Sequence, residues 1–339
     1  MPDTRASVTP ASFAGAGLDV DPESLGLRRS VVALDSGDVV VHSGRQAGGR
    51  AAILLHGAAG SWTTWIPLLH ESDWSGLPLT DVIAIDLPGW GESALPDAAD
   101  FDVRAMSAAV ATVARRLGYE EWTVAGHSLG GFVALDLAVL APESTHAVGL
   151  VSPTGPAVLA AIERPVKGGA ALPWFAGMLV AMRTLALLPD EGRRLIAALR
   201  RIGVFGALSA PLFKSRRALH PSVVDVLAAE IRPRAFLRAA RAAAAYDVTR
   251  WRAIRCPVRS IRGGRDVFVG SGDCAAFDAL IADYAEARLP AVGHFAAIER
   301  PSSVLAALGD VLRSGREAHL RDSDREIAPG VRVAHTRSR

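Results

Sequence analysis

The chain is poor in cysteine and in unbroken apolar runs, and each shortage removes a class of protein. Two cysteines in 339 residues, Cys256 and Cys274, cannot build a disulfide scaffold and suit a reducing compartment. Both lie in apolar surroundings and read as buried, reduced thiols. The Ala-, Leu- and Met-rich stretch 170–188 contains Pro173 and Arg183, so it reads as a buried or pocket-lining helix and not a membrane span. No basic stretch precedes an apolar run at the N-terminus, so no secretory leader is read and a cytoplasmic location is expected. No Gly-rich phosphate loop or dinucleotide fingerprint follows a strand, and no His/Cys/Asp cluster has metal-ligand spacing. Neither a cofactor nor a metal is expected, nor a nucleic-acid partner; a homo-oligomer is left open. What is present is a globular composition, 50% hydrophobic and 21% charged. The length suits one large α/β domain with an insertion.

Apolar patterning divides the chain further. Residues 1–27 are small, polar and Pro-containing, and read as a flexible or loosely docked arm. Residues 31–34 and 39–42 flank Asp35-Ser36-Gly37-Asp38 as an opening hairpin. Residues 51–55 and 82–86 are near-continuous apolar runs, as parallel strands covered on both faces should be. Helices are expected over 61–70 and 102–117, and a strand over 147–151. From 156 to 246 no strand signal occurs, only helical stretches broken at Pro165, Pro173, Pro189, Pro211, Pro221 and Pro233. Strand signals return at 257–262 and 285–289, around a helix candidate at 274–284. Residues 316–339 are charged with little apolar patterning and read as a solvated tail. The expected division is an arm (1–27), a first core part (28–155), a helical cap (156–246), a second core part (247–315) and the tail. The expected fold class is α/β, a mostly parallel sheet with helices on both faces.

Gly126-His127-Ser128-Leu129-Gly130 is the most informative stretch. It has the form Gly-x-Ser-x-Gly, with a short apolar strand before it (122–125) and an apolar helix after it (132–138). A serine on such a strand-to-helix turn sits in a strained backbone with its Oγ pushed out of the sheet. The new helix aims free N–H groups and its positive dipole end at the same point, which favours an oxyanion there. A serine nucleophile also needs a base and an acid to orient that base, in the chain order Ser, Asp or Glu, His. Asp266 follows the strand at 257–262 in the turn Gly263-Gly264-Arg265-Asp266, and His294 follows the strand at 285–289. All three lie just past strand ends, where open α/β sheets bind ligands. Other polar residues have plainer readings. His127 should point its side chain away, His56 should hold the neighbouring loop, Asp86 should tie down the turn 88–93, and Asp273 should serve as a helix N-cap or first-turn charge.

Four blocks give the chain a family resemblance: Leu54-Leu55-His56-Gly57; Asp86-Leu87-Pro88-Gly89-Trp90-Gly91-Glu92-Ser93; Gly126 to Gly131; and Asp266 with His294, followed by Glu299-Arg300-Pro301. Over about residues 28–314 the chain resembles serine hydrolases of the α/β-hydrolase fold superfamily. The resemblance implies Ser128 as nucleophile, His294 as general base and then acid, and Asp266 as orienting carboxylate. It implies an oxyanion hole made of the Leu129 and Ala58 backbone N–H groups. Some members carry the acid after the strand at 147–151; here that position reads Ser152-Pro153-Thr154, which favours Asp266. A serine rather than an aspartate at position 128 disfavours an epoxide hydrolase or haloalkane dehalogenase.

The expected activity is cleavage of a small or medium apolar carboxylic ester through an acyl-enzyme on Ser128, with a small-molecule ester as the substrate. One alternative is a C–C bond hydrolase acting on a vinylogous diketone acid. Those relatives resemble the chain in the Gly-Arg-Asp block but usually carry tryptophan where this chain has Phe295, and Gly-Pro-Gly where it has Ala58-Ala59-Gly60. Another is a slow-turnover receptor on the same fold. Charge bears on the choice. Residues 156–246 hold fourteen Lys or Arg against five Asp or Glu, while the whole chain is only +2. A basic lid at the site mouth would attract anionic substrates; alternatively, the arginines lie on solvated helix faces.

Overall fold

The computed structural model describes residues 17–18, 20–215, 219–313 and 332–333. Nine strands form one sheet: β1 (Leu27–Leu34), β2 (Gly37–Gly44), β3 (Ala51–Leu55), β4 (Val82–Ile85), β5 (Trp122–His127), β6 (Thr145–Val151), β7 (Val258–Gly263), β8 (Tyr284–Leu289) and β9 (Arg332–Val333). Their order is β1-β2-β4-β3-β5-β6-β7-β8-β9. From β4 to β8 every pairing is parallel. The β1–β2 hairpin and β9 flank them antiparallel. The apolar runs at 51–55 and 82–85 are buried along their whole length, as strands covered on two faces must be.

Alternate side chains of one strand feed two cores. Ile53, Leu55 and Val124 pack with α2 (Val103–Arg116), α3 (Leu129–Leu140) and, through Phe277, α11 (Asp273–Leu280). Leu54 and Ala125 pack on the other face with α1 (Ile66–Trp74), α12 (Ala296–Glu299) and α13 (Pro301–Leu312). The α/β class with helices on both faces is therefore as expected. Local boundaries differ. The expected helix at 61–70 starts as a 3-10 turn over Trp62–Trp65 before α1. The helix expected to reach residue 284 stops at Leu280, because Tyr284 already pairs in β8.

Between β6 and β7 the chain forms seven helices and no strand among the described residues: α4 (Pro156–Glu163), α5 (Lys167–Ala171), α6 (Pro173–Ala186), α7 (Pro189–Arg201), α8 (Val204–Leu208), α9 (Pro221–Ala229) and α10 (Pro233–Ala244). Prolines here start helices more than they break them. Pro173, Pro189, Pro221 and Pro233 each stand at a helix start, where the missing N–H costs nothing. Most of the arm and of the charged tail lies outside the described residues. The described end of the arm is docked: Leu18 is buried and its N–H donates to Ser222 Oγ at 2.8 Å, and Pro22–Leu25 form a short turn that buries Leu25.

Candidate active site

The site begins with a backbone constraint. β5 ends at His127, α3 begins at Leu129, and Ser128 makes the whole turn with φ 51° and ψ −115°. That left-handed conformation costs a non-glycine residue about 1–3 kcal/mol. The surrounding packing imposes it. A Cβ on Gly126 would stand 2.2 Å from the Gly130 carbonyl oxygen, and one on Gly130 would stand 2.3 Å from that of Leu55. The two glycines of the motif let strand, turn and helix close on one another. Backbone bonds lock the turn: Ser128 N–H donates to Val151 O, and Ser128 O accepts from Gly131 and Thr154 N–H, all at 3.0 Å. Leu129 N–H is one of the four leading N–H groups that the helix itself cannot satisfy. Leu129 and Ala58 both line the cavity above Ser128.

Asp266 and His294 come together from two different strand ends. His294 Nδ1 lies 2.9 and 3.0 Å from the two carboxylate oxygens of Asp266. Both side chains are almost wholly buried. Burial alone would raise the Asp266 pKa, but the charge and hydrogen bond of His294, with the Phe268 N–H bond at 2.8 Å, outweigh it and hold the carboxyl below its usual range. The carboxylate is thus an acceptor, so Nδ1 carries the proton and Nε2 is left free to accept one. His294 and Ser128 line the same cavity.

Besides Asp266, three side chains hold His294, and the sequence reading gave none of them that role. His127 does stay out of the cavity, but it is not idle. Its ring lies tilted against those of His294 and Phe295, with centroids 4.8 and 4.7 Å away, and its Nε2 donates to His294 O at 3.1 Å. Burial first, then the nearby positive charge of a protonated His294, lowers its pKa to about 3, so it stays neutral. Glu299 is the second neighbour. Its buried carboxylate accepts from Gly293 N–H at 2.7 Å and from Lys214 and Ser215 N–H at 2.8 and 2.9 Å. Burial nonetheless raises its pKa. His294 N–H donates to Leu212 O at 2.8 Å, so the histidine loop is bound to the helical segment along both edges. Phe268 closes the third side, edge-on to the His294 ring at 4.9 Å. The sequence signal for Glu299 was its place in the block behind His294; nothing pointed to its partners 84 and 85 positions away.

The plainer readings hold for the other polar groups. His56 Nδ1 donates to Gly57 O at 2.7 Å and its Nε2 accepts from Leu87 N–H at 2.9 Å, which fixes the loop that carries Ala58. Burial lowers its pKa to about 4. Asp86 accepts from Trp62 and Glu92 N–H at 2.9 and 3.1 Å, tying down its turn. Asp273 accepts from Gly270 N–H at 2.8 Å and reaches Ala157 N–H of α4 at 2.9 Å.

A cavity opens above Ser128. Its walls come from the helical segment: Val158 and Ile162 of α4, Phe175 and Met178 of α6, Phe205 of α8, Leu227 of α9 and Phe236 of α10. Its polar side chains are Ser128, Thr154, Ser209 and His294, and no Lys, Arg, Asp or Glu among the described residues lines it. The arginines go elsewhere. Arg200 pairs with Asp225, Arg232 donates to Gly91 O and Arg238 to Pro96 O, while Arg216 and Arg217 lie outside the described residues.

Comparison with known proteins places this geometry. A 125-residue stretch is 38% identical to the dihydrolipoyllysine-residue acetyltransferase component of the acetoin cleaving system of Cupriavidus necator, covering 36% of this chain and 31% of that one. A 93-residue stretch is 40% identical to a soluble epoxide hydrolase of Corynebacterium, covering 26% and 30%. The chain thus spans about a third of the length of these relatives. In fold it is similar to wild-type Cfl2 of Burkholderia cenocepacia, with a TM-score of 0.67, 22% identity, and coverage of 86% of this chain and 98% of that one. The family model for the alpha/beta hydrolase fold matches residues 52–301, which carry the parallel strands β3 to β8 and the helices between them, and the chain belongs to that family.

Proposed function

We propose that the protein is a serine hydrolase that cleaves a neutral, apolar carboxylic ester through an acyl-enzyme on Ser128. The observation that carries this reading is a strained serine and a buried Asp266–His294 pair facing one cavity without a charged wall. His294 Nε2 takes the Ser128 proton as Oγ attacks the ester carbonyl. The oxyanion takes hydrogen bonds from Leu129 and Ala58 N–H. His294 then gives its proton to the leaving alkoxide, and the acyl group stays on Oγ. Water, deprotonated by the same nitrogen, attacks the acyl carbon; the acid leaves and Ser128 recovers its proton.

Two rival chemistries fare worse. A vinylogous diketone acid would bring a carboxylate into a cavity that no cation among the described residues lines, and an unpaired buried charge is costly. Epoxide opening or dehalogenation through an aspartate nucleophile finds serine at position 128. The test is turnover of nitrophenyl esters of rising chain length, with organophosphonate labelling read by mass spectrometry. Many turnovers per chain are expected, with the label on Ser128 alone. Ser128→Ala should lower kcat/KM by on the order of 10³-fold or more. A single burst would favour a slow-turnover receptor, and labelling that survives Ser128→Ala would overturn the assignment.

A further inference from the structure

The outer side of the cavity wall is apolar where a solvated helix carries charge. α6 reads Pro-Trp-Phe-Ala-Gly-Met-Leu-Val-Ala-Met-Arg-Thr-Leu-Ala, apolar round nearly its whole circumference. Such a helix is ordinarily buried on all sides. Here one face packs inward through Phe175, Leu179 and Met182. The other leaves Trp174 and Val180 53% and 60% exposed, and Leu187, just past the helix end, 81% exposed. The neighbouring helices continue the pattern. α7 exposes Leu195 and is followed by Ile202, 70% exposed; α8 exposes Val204 and Leu208 while turning Phe205 to the cavity. α5, α6, α7 and α8 pack in succession, so these side chains share one region of the surface. Nine of the thirteen large exposed apolar side chains among the described residues fall within 166–208, which makes this a patch and not a scatter.

The same region is basic. Residues 164–208 contain seven Lys or Arg against two Asp or Glu, and Arg164, Lys167, Arg183, Arg194 and Arg201 are exposed among the apolar groups. Apolar side chains interleaved with arginines match the boundary between acyl chains and anionic headgroups. A second copy fits less well, because a twofold contact through this patch would set the same arginines against one another. Since α6 and α8 carry the apolar patch on one side and cavity wall on the other, lipid and cavity would be separated by one helix diameter, ~10 Å.

We infer that the α6–α8 face docks on an anionic lipid surface, and that the cavity behind it draws neutral acyl esters from that surface. The docking stands apart from the hydrolase reading; the substrate class rests on it. The test is co-sedimentation of the full chain with phosphatidylcholine vesicles, with and without phosphatidylglycerol, at low and high salt. Binding at least tenfold stronger with the anionic lipid, and weakened by salt, is expected. Leu187→Glu with Ile202→Glu, both exposed and outside the cavity wall, should lower binding at least tenfold. The same double variant should keep its rate on a short soluble ester and lose it on a long-chain ester carried in vesicles. No vesicle binding, or binding untouched by the double variant, overturns the docking. So does a dimer in solution that the double variant dissociates. Docking with no hydrolysis of either ester upholds the surface and overturns only the hydrolase reading.

Discussion

On the sheet side of the cavity, each group proposed for catalysis is held by backbone geometry: Ser128 by a strained turn between two glycines, Ala58 by a loop that His56 pins, Asp266 and His294 by each other. On the helical side the cavity is walled mostly by apolar side chains, with Ser209 the one polar group the segment contributes among the described residues, and its outer surface interleaves apolar side chains with basic ones. The first region tolerates almost no change in atom position and is polar by design of the chemistry. The second offers volume and low polarity, which suit a broad set of acyl chains. On the proposed function, reactivity and selectivity reside in different segments of one chain.

The sharpest way to break this contrast is to damage only the sheet side. Asp266→Asn keeps the shape of the pair but can hold the imidazole in the wrong tautomer. A loss of kcat on the order of 10³-fold is expected, with circular dichroism and Tm near those of the parent. Near-full activity would move the orienting acid elsewhere. Damage to the substrate tests the other side. An ester whose acyl chain ends in a carboxylate should show kcat/KM lower by on the order of 10²-fold than the neutral ester of equal length, since no cation among the described residues lines the cavity. Equal rates would return the basic helices to the site mouth and revive the diketone-acid reading.

Glu299→Ala tests the seam between the regions. It strips three N–H groups of their shared acceptor, each loss costing about 1–3 kcal/mol where water cannot enter. A clear drop in Tm is expected, with kcat falling roughly tenfold through misplacement of His294 and KM changing less. A parallel fall in kcat and KM, or no change in kcat, would make the carboxylate structural only. A separate effect is expected on stability against pH. His56 and His127 stay neutral in the fold, with pKa values lowered to about 4 and about 3 by burial. The unfolded chain takes up those protons near ~6.5. Between that pH and about 4 the unfolded state binds more protons, so stability falls as pH falls. Urea midpoints measured from pH 7 to 4 should decline, and His127→Asn should flatten the slope.

How much of this was legible in the sequence depended on whether a feature was local. The nucleophile turn, the strand at 51–55 and the order Ser128, Asp266, His294 were legible because their signals are short patterns. Asp102 even announced the start of α2, where its side chain accepts Ala105 N–H at 2.6 Å. What stayed hidden was pairing across distance. Neither the Glu299 bonds to Lys214 and Ser215 nor the ring contact of His127 with His294 has a local signature. The arginines of the helical segment could be counted but not aimed, because helix orientation follows from packing. The prolines marked the interruptions between the helical stretches but not their sense: a proline marks a boundary without saying whether a helix ends or begins there.

The Glu299 carboxylate has one more consequence, for modularity. It joins the loop bearing His294 to Lys214 and Ser215, while Leu212 receives the His294 N–H. The helices between β6 and β7 are therefore not a detachable accessory. A shortened chain lacking them could still fold its sheet and form the turn at Ser128, yet its histidine would be untethered on two sides. Swapping this segment for another of similar length, as one might to change substrate range, would carry the positioning of His294 along with the pocket. Any such chimera needs a carbonyl acceptor and two donors returned to the places where Leu212, Lys214 and Ser215 now stand.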